Sequence, residues 1–143
     1  MKVFAHRGAS GDFPENTKSA ILEALKVDVD GIEVDIQSSF DDYMVIHDSW
    51  LDRTTSGKGR VSNFTAHELS KLDAGNGEKI PTLQQLFDWN NNKSLLNIEL
   101  KHTFALERFV AQLEQNIEAK KISKANILVS SFDHHQLQWL KKR

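Results

Sequence analysis

The sequence predicts an α/β fold: a mainly parallel sheet of about five strands with flanking helices. Three observations predict it. Short apolar runs alternate with helix-length amphipathic segments along the whole chain. Two of the runs, residues 31–36 and 95–100, alternate strictly between apolar and polar side chains. The helix-opening spacing Thr-x-x-Glu/Gln occurs at Thr65 and again at Thr82.

Each element follows in order. Residues 3–6 form a short apolar strand stopped by Arg7-Gly8. Residues 16–26 read as a helix, with Asn16 as N-cap and Ala20, Ile21, Ala24 and Leu25 as its apolar stripe. Residues 31–36 are the second strand. Asp41-Asp42 makes the turn into a third, residues 43–47. The stretch 49–77 is less regular; Thr65 opens a short helix there, and Gly75-Asn76-Gly77 closes it as a loop. Gly57-Lys58-Gly59-Arg60 lacks the spacing of a phosphate-binding loop and reads as a turn. Thr82 starts a helix through Trp89, and residues 95–100 are the fourth strand. Residues 106–120 form a helix with Phe109, Val110, Leu113 and Ile117 on one face. Residues 127–131 are the fifth strand, and Asp133 caps a helix to the C-terminus. The whole of 1–143 reads as one domain.

Composition narrows the function classes. The chain has 143 residues, 18 Lys+Arg against 20 Asp+Glu, and a net charge of −2. Bulk charge therefore offers nucleic acid no footprint. With 39% hydrophobic and 27% charged residues the chain is globular in composition. It has no cysteine, which removes disulfides, thiolate metal sites and thiol nucleophiles. No apolar run is long enough to span a bilayer. No apolar leader precedes the first strand, so the expected location is cytoplasmic.

The polar halves of the two alternating strands carry the chemistry. Ile32, Val34 and Ile36 share one face, which leaves Glu33 and Asp35 together on the other. In the fourth strand Leu96, Ile98 and Leu100 oppose Asn97, Glu99 and Lys101. A covered parallel strand is ordinarily apolar on both faces. Grouped carboxylates repel unless positive charge sits among them, so Glu33, Asp35 and Glu99 are candidate ligands of a hard divalent cation, Ca²⁺ or Mg²⁺. The alternative is three solvated strand-end acids partnered by Lys101. His6 and His47 each end a strand, at the edge where α/β folds place their sites. Each is either a structural histidine or one half of an acid–base pair. Arg7 offers a fork suited to phosphate.

A series of short segments carries a family resemblance: His6-Arg7-Gly8, Pro14-Glu15-Asn16-Thr17, Glu33-Val34-Asp35, His47-Asp48, Leu51-Asp52-Arg53-Thr54-Thr55, Ile80-Pro81-Thr82-Leu83, Asn97-Ile98-Glu99-Leu100-Lys101 and Ser130-Ser131-Phe132. In this order they resemble the glycerophosphodiester phosphodiesterase family, over essentially the whole chain. The resemblance implies a (β/α)8 barrel and metal-dependent hydrolysis of glycerophosphodiesters to glycerol 3-phosphate and an alcohol. It implies that Glu33, Asp35 and Glu99 hold the metal, that His6 and His47 are the base and acid, and that Arg7 and Lys101 bind phosphate. A full barrel takes about 250 residues. The chain therefore matches the amino-terminal part of such a barrel, about five of eight β/α units, truncated on the C-terminal side. The first and fifth strands become open edges, which invites self-association. Two other readings stay open: an inactive or weakly active fragment, and a related barrel phospholipase acting on intact lipids.

Overall fold

The computed structural model describes residues 1–143. In chain order the elements are β1 (Phe4–His6), α1 (Lys18–Ala24), β2 (Gly31–Ser38), β3 (Tyr43–Val45), α2 (Ala66–Leu69), α3 (Leu83–Asn90), β4 (Leu95–Leu100), α4 (Leu106–Glu118), β5 (Ile127–Ser131) and α5 (His134–Leu140). Single 3-10 turns precede α2 and β5. The sheet has five strands, as the alternating pattern predicts. Its order is β1-β2-β4-β5, all neighbours parallel, with β1 and β5 as the outer strands.

The third strand departs from the parallel pattern. β3 runs antiparallel to β2, pairing Ile36 with Val45 and Ser38 with Tyr43. The four-residue connection at 39–42 is too short for a parallel crossover and suits a hairpin. Counted by parallel strands, the arc holds four β/α steps, with β3 as a hairpin arm beside them.

The main core lies between the sheet and its helices. Ile32, Val34 and Ile36 of β2 and Leu96, Ile98 and Leu100 of β4 pack with Ile21, Leu83, Leu86, Phe87 and Phe109 from the helices. Each fully buried aliphatic side chain contributes about 1.5–3 kcal/mol. A second cluster joins Met44, Ile46, Leu51, Val61, Leu69 and Ile80, which orders the irregular 49–77 stretch. Both capping boxes form, at Thr65 with Glu68 and at Thr82 with Gln85. Asp133 caps α5 by accepting from the His135 amide. Gly57–Arg60 forms no turn: the chain bends at Gly59, φ +100°, and Arg60 makes an isolated antiparallel bridge with Trp50.

One expected cap is displaced. Thr17, not Asn16, is the N-cap of α1. Asn16 sits at φ +59°, and its side chain turns inward to Asp35. The short polar side chain that favours a cap also tolerates the left-handed conformation, and here the buried acid claims it.

Candidate active site

Strand register assembles the acidic cluster. Asp35 of β2 lies directly beside Glu99 of β4, and Glu33 lies beside His6 of β1. The period of two puts Glu33 and Asp35 on the same face. One carboxylate oxygen from each of Glu33, Asp35 and Glu99 falls within 4.8 Å of the others. Asp35 is fully buried and Glu33 nearly so.

Positive and polar groups surround the cluster without saturating it. Lys101 Nζ donates to Glu99 Oε1 at 2.6 Å and lies 3.4 Å from Asp35 Oδ1. Arg7 Nε is 3.2 Å from Asp35 Oδ2, and Asn16 Nδ2 donates to the same oxygen at 3.0 Å. The Arg7 amide donates to Glu33 Oε2 at 3.1 Å. His6 Nε2 stands 3.8 Å from that oxygen on a ring that is two-thirds exposed. Glu33 Oε1 and Asp35 Oδ1 are buried with no hydrogen-bond donor. Burial, then the Asp35 charge, pushes the Glu33 carboxyl up to about 7. Glu33 Oε1, with no partner, and Asp35 Oδ1, with only the Lys101 ammonium 3.4 Å away, belong to an all-oxygen donor set that fits a hard divalent cation. They do not fit three solvated strand-end acids.

The loop after β1 is held in one place. Gly8, at φ +77°, packs so closely on α1 that a Cβ would lie 2.6 Å from the Ala20 carbonyl carbon. The Asn16 amide donates to the Arg7 carbonyl at 3.0 Å, which closes the loop.

His47 comes alongside β2 by a route the strand pattern does not foresee. That pattern places His6 and His47 at a common sheet edge because each ends a strand. β3 is antiparallel, so its end points the other way, and His47 doubles back along β2. The Ile46 amide donates to the Asp35 carbonyl at 3.0 Å, which brings His47 to the level of the acids. Gln37 Nε2 donates to the His47 carbonyl at 2.6 Å. His47 Nδ1 lies 2.6 Å from Asp48 Oδ1, and Nε2 makes no hydrogen bond within the chain.

Three polar residues of this setting escaped the sequence reading: Asn16, Gln37 and Arg53. Gln37 had a signal, since 33, 35 and 37 continue one alternation. Asn16 lies in the segment 14–17 and Arg53 in 51–55, but neither segment reveals the partner, Asp35 for Asn16 and Glu15 for Arg53.

Comparison with known proteins matches residues 6–143 to the glycerophosphoryl diester phosphodiesterase family. A glycerophosphodiester phosphodiesterase of Caldanaerobacter subterraneus is 41% identical over 98% of this chain and 61% of its own length. The crystal structure of the Agrobacterium tumefaciens glycerophosphodiester phosphodiesterase superposes with a TM-score of 0.86 at 31% identity, covering 99% of this chain and 62% of that one. An Oleispira antarctica phosphodiesterase, solved with the product sn-glycerol-3-phosphate, gives 0.86 at 32% identity, with 99% and 62% covered. The chain thus spans about three-fifths of the length of these relatives. No helix is long and apolar enough to cross a membrane. By sequence along nearly its whole length and by the path of its backbone, the chain belongs to the glycerophosphodiester phosphodiesterase family.

Proposed function

We propose that this chain hydrolyses glycerophosphodiesters to glycerol 3-phosphate and an alcohol, using a divalent cation, Ca²⁺ or Mg²⁺, held by Glu33, Asp35 and Glu99. The observation that carries the reading is the convergence of these three carboxylates within 4.8 Å, two of them with buried oxygens lacking a donor. The bound cation would supply charge neutralisation at a phosphodiester oxygen. Its likeness to a phosphodiesterase solved with glycerol 3-phosphate supports the substrate class.

The chain's own residues divide the remaining work. Arg7 and Lys101, already beside Asp35, present a guanidinium and an ammonium to the other phosphate oxygens. His6, on its exposed ring, takes the proton from the attacking oxygen. His47 gives a proton to the leaving alkoxide. Asp48 occupies Nδ1, so the proton that moves is the one on Nε2 of the doubly protonated ring, and its donation leaves the neutral ring with Nδ1–H on Asp48 and Nε2 bare. Deep burial of Asp35 keeps the acid cluster fixed while charge shifts at the phosphate.

The test is glycerol 3-phosphate release from glycerophosphocholine by the purified chain, with Mg²⁺, with Ca²⁺ and with EDTA. Release that EDTA stops and added metal restores is the expected result. No release with either metal, or release only from intact phospholipid, overturns the reading. Native mass on the same sample tests self-association through the β1 and β5 edges.

A further inference from the structure

Arg53 takes no part in the chemistry just described, yet it joins both arms of the site. Its Nε and Nη2 donate to Asp48 Oδ2 and Oδ1 at 2.7 and 2.8 Å. Its Nη1 and Nη2 donate to Glu15 Oε2 and Oε1 at 3.2 and 2.8 Å. Glu15 Oε1 also accepts from Arg7 Nη1 at 3.1 Å. The result is an unbroken run of contacts, Asp35–Arg7–Glu15–Arg53–Asp48–His47, alternating in charge from the buried acid to the imidazole.

A single exposed ion pair fixes little, because two long side chains lose entropy for a screened attraction. Two features set Arg53 apart. It grips both carboxylates through two contacts each, which fixes direction as well as distance. And one of the two Asp48 oxygens it holds, Oδ1, is the one facing His47 Nδ1. A carboxylate locked on that side keeps the proton on Nδ1 and leaves Nε2 bare in the neutral ring. Without the grip Asp48 can rotate, and the His47 ring, 30% exposed, can turn to water instead.

We propose that Arg53 is a positioning residue: by clamping Asp48 against His47 and Glu15 against Arg7, it sets the tautomer and direction of His47 and couples them to the phosphate-facing Arg7. Its consequence for turnover rests on the phosphodiesterase reading above; its consequence for His47 does not.

The test is long-range ¹H–¹⁵N spectroscopy of the full chain with labelled histidines, at a pH where the rings are neutral. His47 is assigned by its loss in His47→Asn. Wild type should show Nδ1 protonated and Nε2 bare. Arg53→Met should lose that single tautomer, and Arg53→Lys, with one contact point in place of a fork, should lie between. Turnover should fall about tenfold in Arg53→Met, mostly in kcat, as for other residues that orient a catalytic group. An unchanged His47 tautomer in Arg53→Met overturns the proposal. Should that variant fail to fold, Arg53→Lys decides: spectra identical to wild type overturn it equally. A wild-type chain without turnover, but with a tautomer that depends on Arg53, would sink the phosphodiesterase reading alone. An active wild type with an indifferent tautomer would sink the positioning role alone.

Discussion

Two groups of acids flank the same loop in opposite electrostatic condition. Glu33, Asp35 and Glu99 are buried or half-buried, share two cations among three carboxylates, and leave two oxygens with no donor. Glu15 and Asp48 are met by Arg53 on both, and by Arg7 and His47 on one each. The Glu33 carboxyl is pushed up by burial and by Asp35. The Asp48 carboxyl is held well below its usual range, chiefly by Arg53. Burial alone would raise Glu15, but Arg53 and Arg7 together bring it below its usual range. The first group is short of positive charge, which is what motivates the cation proposed for it. The second is complete in itself, which is the condition of a scaffold.

The largest effect should come from emptying the first group. Asp35→Ala removes its most buried acid. Turnover should fall by more than the roughly 10–100-fold typical for losing a neighbour of a metal ligand, and calorimetry should show no Mg²⁺ binding. His47→Ala should cost about 10²–10⁴-fold in turnover and leave Mg²⁺ binding intact. Equal loss of metal binding in both variants would erase the distinction between the two groups.

The next effect separates the groups by the sign of their pH dependence. Glu33 titrates at about 7 in the folded chain against an ordinary 4.5. Its contribution to stability is therefore full below about pH 4.5 and is lost as pH rises through about 7. Each pKa unit of that displacement is worth about 1.4 kcal/mol. In EDTA, urea unfolding should show wild type weakening from pH 5 to pH 8 and Glu33→Gln weakening less. Glu33→Gln is then the more stable protein at pH 8 without metal, while binding metal poorly. Asp48 behaves in the opposite sense. Its folded value lies below the ordinary 3.8, so its contribution is present above that value and lost as pH falls further. Asp48→Asn should destabilise by about 1–2 kcal/mol at pH 7 and remove part of the acid-side loss. Identical pH profiles for the two variants would show that the contrast has no energetic content.

The sequence exposed the first group far better than the second, for a physical reason. A strand has a rigid period of two, so Glu33, Asp35 and Glu99 could be placed on one face from spacing alone. Pairing the apolar faces inward puts Glu99 on that same face but sets the register only to within two residues; the Asp35–Glu99 pairing is settled by the fold. The second group depends on loops. Glu15 and Arg53 are 38 positions apart, and only the folded 49–77 stretch, ordered by its own small core, brings them together. No periodicity reports such a contact. The direction of β3 was hidden in the same way: the apolar run at 43–47 reads alike in either direction, and only the short connection at 39–42 decides for a hairpin. Asn16 shows a third kind of gap. Its residue type favours a cap and a left-handed turn equally, and the choice was made by Asp35, 19 positions away.

The smallest expected effect sets the scale for the rest. Lys121 and Asp88 form an ion pair as close as any in the scaffold group. Both side chains are about two-fifths exposed, and apart from Gln84 no other residue binds the Asp88 carboxylate. The attraction is screened by water, and the four-carbon Lys121 stem loses rotamer freedom on pairing. Lys121 also offers a point charge where Arg53 offers a fork. Asp88→Asn should therefore change the unfolding free energy by less than about 0.5 kcal/mol, and high salt should erase even that. The comparison with Asp48→Asn is the sharp one, because both substitutions remove one charge from one cation-paired carboxylate. If the two losses prove equal, sharing of carboxylates through Arg53 adds nothing, and the Glu15–Arg53–Asp48 run is two ordinary surface pairs.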